Sequence, residues 1–123
     1  MLGGDWVRRT VAAAAFALAA VALVSCSSGQ SSGALEHEAC VEVHHSLTLY
    51  ATAAHDAPAA ARAARTAAEN LLRAALQPAA IASAGDADYQ ALSATLSETS
   101  RVPESQLTTA LSDQCAAVLN PSG

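Results

Sequence analysis

The chain of 123 residues contains no lysine; its six basic side chains are all arginine, against eleven acids, for a net charge of −5. That balance argues against nucleic acid and against electrostatic docking on anionic lipid headgroups, both of which require clustered positive charge. Aromatics are scarce, and the single Trp and single Phe (Trp6 and Phe16) both fall within the first 25 positions. No apolar run reaches the roughly 20 residues a membrane-spanning helix needs. Short motifs with a chemical mechanism are missing as well. There is no HExxH metal helix, no CxxC and no Gly-rich phosphate loop. The serines and threonines of the third and fourth predicted helices are read as a solvated face, and the chain is not expected to be an enzyme.

The N-terminus is more informative. Arg8 and Arg9 precede an apolar run of 14 residues, Val11 to Val24 (VAAAAFALAAVALV). A positive segment followed by an apolar stretch of that length is the pattern of a removable export signal. The run ends at Leu23-Val24-Ser25-Cys26. This resembles the lipobox of bacterial lipoproteins, in which an aliphatic, a permissive and a small residue precede an acceptor cysteine. The resemblance implies lipidation of the Cys26 thiol and cleavage between Ser25 and Cys26, making residues 1–25 a signal peptide. It also implies a palmitate-type anchor that holds the mature chain to the outer, extracytoplasmic face of the cell membrane. Two or more acyl chains give a stable anchor where one is marginal. The residues after the arginine pair, Thr10-Val11-Ala12, match a twin-arginine motif poorly, which favours Sec export. Abundant Ala and Arg without Lys makes the chain look like the small lipoproteins of actinobacteria, mycobacterial types included. The resemblance covers residues 1 to about 33.

Without Asp5, Arg8 and Arg9 the exported part holds ten acids and four arginines, a net charge of −6. Residues 26–33 comprise the lipidation cysteine and a tether, SSGQSSG, whose composition behaves as a flexible coil. Residues 34–123 are expected to be an all-α domain, a small four-helix bundle stapled by a disulfide. Helix propensity is high, with 25 alanines from Cys26 onward. The predicted helices run from about 34 to 55, 58 to 82, 87 to 99 and 103 to 120. Pro58 and Pro103 serve as starts, and Pro78 is expected to kink or divide the second. The predicted inward stripes are Cys40, Val43, Leu47, Tyr50 or Ala51, and Ala54 on the first helix, and Ala64, Ala67/Ala68, Leu71/Leu72 and Ala75 on the second. Tyr89, Leu92 and Leu96 line the third, and Leu107, Leu111, Cys115 and Val118 the fourth. Cys40 and Cys115 lie on apolar stripes near the two ends of the domain, and in an oxidising compartment two such cysteines most simply pair. Eleven Leu, four Val, one Ile and two Tyr are the large apolar residues after Cys26, a core thin enough to need the crosslink.

One local concentration of ligand-type side chains stands out. His37, His44, His45 and His55 all lie in or at the end of the first predicted helix, with Glu36, Glu38 and Glu42. Glu38, Glu42 and His45, at i, i+4 and i+7, form a ridge that could hold a metal ion. The alternative reading is that the acids favour the helix N-terminus and keep the surface soluble. A helical domain with a cysteine at each end, and a Tyr and a His on its first helix, is loosely similar to the secreted mycobacterial haemophores. By that likeness Tyr50 and His55 are the candidate haem ligands, although His55 is followed by Asp56 and no Phe is available to pack on a porphyrin. Asp86-Ala87-Asp88 lacks the glycine and distal Glu of a calcium loop and reads as a turn with a helix cap. The expectation is therefore a membrane-anchored envelope lipoprotein without cofactor or metal, a non-enzymatic binding module facing an envelope protein partner. The alternative is a metal or haem carrier.

Overall fold

The computed structural model describes residues 29–121; the segment read as an export leader and Cys26 lie outside them. The described residues form helices α1 (Ser32–Ala53), α2 (Pro58–Gly85), α3 (Gln90–Ser97) and α4 (Glu104–Leu119), with no strand. The described residues make an all-α, four-helix, disulfide-linked fold.

Each boundary has a local cause. The Ser31 hydroxyl accepts from the backbone N–H of Ala34 at 3.2 Å, capping α1 and starting it two residues before the expected position. Ser32 and Gly33, expected in the tether, are helical. The turn Ala54–Ala57 ends at Pro58, which opens α2 with φ already suited to a helix. Pro78 neither ends nor divides α2. A proline inside a helix forfeits a hydrogen bond and costs about 3 kcal/mol; burial of Leu72 and Ala75 before it, and of Ala79 and Ala82 after it, offsets that cost. The third helix is shorter than expected, its ends tightened into 3₁₀ turns at Ala87–Tyr89 and Glu98–Ser100. Asp86 caps the first of these, its Oδ1 accepting from the Asp88 N–H at 3.0 Å.

Helices α1 and α2 form an antiparallel hairpin. Ser46 meets Ala68 midway, and at the far end a Cβ on Gly85 would collide with the Ser32 hydroxyl. Helix α4 lies antiparallel along α1, joined to it at Cys40–Cys115 (Cα–Cα 5.3 Å) and at Ser46–Glu104. Helix α3 packs on α2 and α4, and Gln114 Nε2 donates to Thr95 Oγ1 across the α3–α4 seam at 2.9 Å.

The main core gathers Ala39, Cys40, Val43, Leu72, Ala75, Ala79, Leu92, Leu96, Leu107, Leu111 and Cys115. The stripes of α3 and α4 are as expected, apart from Tyr89 and Val118, which are half-buried. On α1 the buried line is Glu36, Ala39, Cys40, Val43, Ser46 and Ala53. It is turned by about one residue from the predicted stripe, leaving Ala51 and Ala54 exposed and Leu47 and Tyr50 half-buried. On α2, Ala67 is exposed and Ala61, Ala79 and Ala82 join the inward face. Two glutamates and a serine thus occupy positions where apolar packing would be ordinary.

Candidate functional site

Cys26, the residue read as lipid acceptor, lies outside the described residues. The two other cysteines are joined to one another and are fully or nearly buried, 75 residues apart in the chain.

The ligand-type side chains of α1 do not converge. Glu38 and His45 are exposed and Glu42 is half-buried. Among the described residues no group of three His, Cys, Asp or Glu side chains is placed to hold a metal ion. His37 and His44 are exposed as well, and the rings of His44 and His45 stand 6.4 Å apart, tilted rather than stacked. Tyr50 is half-buried on α1, whereas His55 lies exposed in the turn after it. Nothing in that placement brings the two to one haem iron.

One serine motif escapes the sequence reading. Gly29-Gln30-Ser31-Ser32-Gly33 has the Gly-x-Ser-x-Gly spelling of a nucleophile elbow. Such an elbow needs a strand before the serine and a base beside it. Here Ser31 is instead the cap of α1, its hydroxyl engaged with the Ala34 N–H.

The polar group that the sequence reading does not anticipate is buried where α1, α2 and α4 meet. Ser46 is fully buried, its Oγ 2.7 Å from the Ala68 carbonyl on α2 and 2.7 Å from Glu104 Oε1 at the start of α4. Glu104 is 9 % exposed, and its Oε2 is shielded from solvent without a hydrogen-bond partner. Burial raises its pKa; the Ser46 hydrogen bond opposes that rise and the nearby Glu69 charge adds to it. Glu36, near the opposite end of the bundle, is 3 % exposed with one bare oxygen, and burial raises its pKa too. The sequence signal for both lay in the 3–4 spacing: Glu36 and Ser46 fall in register with Ala39, Val43 and Ala53.

Beside Glu104 a cleft of about 390 Å³ opens between α2, α3 and the turn into α4. Leu72, Leu76, Leu96 and Val102 line it, with Glu69 and Arg73 contributing charge. Arg73 is held by its own helix, through Glu69 at 3.9 Å and Asn70 at 3.3 Å. Comparisons with protein-family models, with curated proteins and with solved structures gave no match.

Proposed function

We propose that the chain is an exported lipoprotein, anchored through Cys26 to the extracytoplasmic face of the cell membrane, whose helical domain is a non-enzymatic module that binds an envelope protein partner. The observation that carries the reading is the position of Leu23-Val24-Ser25-Cys26 at the end of the apolar run Val11 to Val24. The Cys40–Cys115 disulfide suits the oxidising environment that such export provides. Because α1 begins at Ser32, only four residues lie between the proposed lipid cysteine and the Ser31 cap. Such a segment spans on average about 11 Å, which would hold the domain close to the bilayer.

Intact mass spectrometry of the membrane-extracted protein tests the anchor. The expected species lacks residues 1–25 and carries lipid on Cys26; a full-length unlipidated species would contradict it. Cys26→Ala should leave an unprocessed precursor or send the protein into the culture fluid, and a variant still trimmed and retained would refute the anchor. Crosslinking in the native envelope tests the partner: a discrete heteromeric adduct supports it, and recovery of the bare monomer alone removes it.

A further inference from the structure

The Ser46 hydroxyl has one proton and two oxygens within 2.7 Å, the Ala68 carbonyl and Glu104 Oε1. The carbonyl can only accept. If Glu104 is ionised it too can only accept, and one of the two short contacts must set lone pairs against each other. If Glu104 keeps its proton, both contacts become hydrogen bonds: the carboxylic acid donates to Ser46 Oγ, and Ser46 donates to the Ala68 carbonyl. The bare Oε2 points the same way. An unpartnered carbonyl oxygen in a buried seam has a modest cost, whereas an unpartnered carboxylate oxygen there has a large one.

The geometry points to a proton-operated clasp, in which protonated Glu104 fastens the first turn of α4 through Ser46 to the backbone of α2, and loss of that proton unfastens it. The groups around Glu104 agree. From α1 comes the Ser46 hydroxyl. From α2 comes the Glu69 carboxylate, which repels a second negative charge, while Arg73 is taken up by Glu69 and Asn70. From α3 and its following turn come Ser97, Thr99 and Ser100, none of them charged. The dipole of α4 favours an acid near its N-terminus, yet the contact this carboxyl makes is with the Ser46 hydroxyl of α1. The pull of Ser46 toward ionisation operates only while its proton points at Glu104; donation to Ala68 reverses it. The adjoining cleft, which the Glu104 side chain already lines, gives the ionised carboxylate a route to water.

The sign of the pH dependence follows. Burial raises the folded-state value of Glu104 above the ordinary 4.5, so the folded chain binds more protons than the unfolded chain between the two values. The contribution of the clasp to stability is therefore complete below about 4.5 and falls as pH climbs through the raised value. Glu36, buried near the other end of α1, acts in the same direction.

The test is carboxyl-carbon NMR of the full-length chain in detergent micelles, labelled at glutamate, together with thermal melting. Glu104 should titrate above the ordinary carboxyl value of 4.5. Glu104→Gln keeps a donor for Ser46 and removes the titration. At pH 8 it should melt about 4 °C or more above the wild type, and at pH 4 the gap should close. The histidines, common to both proteins, cancel in that difference. Ser46→Ala should lower the melting point more at pH 4 than at pH 8. Titration of Glu104 at or below the ordinary 4.5, or a Gln variant that melts below the wild type by the same margin at both pH values, would overturn the clasp. The wild-type titration decides the question even if a variant does not fold.

Discussion

The two ends of the α1–α2 hairpin are built from the same helical backbone and different cores. Toward the disulfide, α1 and α2 are covered by α3 and α4, and Leu72, Leu92, Leu96 and Leu111 are buried with the cystine. Toward the connecting turn, from residue 47 to residue 67, the only buried side chains are Ala53 and Ala61, and neither belongs to the main core. Leu47, Leu49 and Tyr50 are there but only half-buried. Helix propensity alone explains why both ends are helical. Stability needs buried area as well, and a leucine side chain contributes about 2 kcal/mol where an alanine methyl contributes well under half as much. Regular secondary structure is therefore a poor guide to where this molecule is strong.

The largest effect should come from the staple at the strong end. In the chain-entropy picture a crosslink closing a loop of 75 residues contributes about 4 kcal/mol. Reduction, or Cys40→Ala with Cys115→Ala, should therefore remove most of the cooperative thermal transition seen by circular dichroism. A double variant that melts within a few degrees of the wild type would show that the leucines suffice alone. Next come paired truncations at the two ends. Leu111→Ala removes a fully buried side chain and should cost about 2–5 kcal/mol, whereas Leu49→Ala, half-buried and outside the main core, should cost under about 1 kcal/mol. Equal losses in denaturant titration would erase the contrast. Hydrogen exchange reads the same difference without mutation: amides of 47–67 should exchange faster than those of 70–82. The smallest effect belongs to the surface. Arg73→Ala breaks a 3.9 Å pair whose partners are 71 and 59 % exposed, and the melting point should stay within about 2 °C.

Much of this architecture could be read from residue types. Proline at 58, the alanine content and the leucine spacing of α3 and α4 located the helices, and the two cysteines located their crosslink. The failures were of two physical kinds. Pro78 looked like a break because local propensity sees a lost hydrogen bond, whereas the buried neighbours that compensate for it are set by tertiary packing. Glu36 and Ser46 are of types usually solvated; here they fall on the buried line of α1 with Cys40 and Val43, and Ser46 meets α2 and the start of α4 there. Glu104 stands in a first helical turn, where an acid is ordinary, and its partner lies 58 residues away in sequence, beyond any local pattern. The histidines are the opposite case. They are close in sequence, but α1 and the turn after it spread them over exposed positions where no three ligands meet.

The cystine also changes what a protease can accomplish. The turn Ala54–Ala57 is exposed and lies inside the loop that Cys40 and Cys115 close. A cut there would yield two peptides that remain one molecule on a non-reducing gel and separate only after thiol treatment. Nicking would thus release nothing from whatever holds the N-terminus; shedding the domain requires a cut before residue 40 or a reductant.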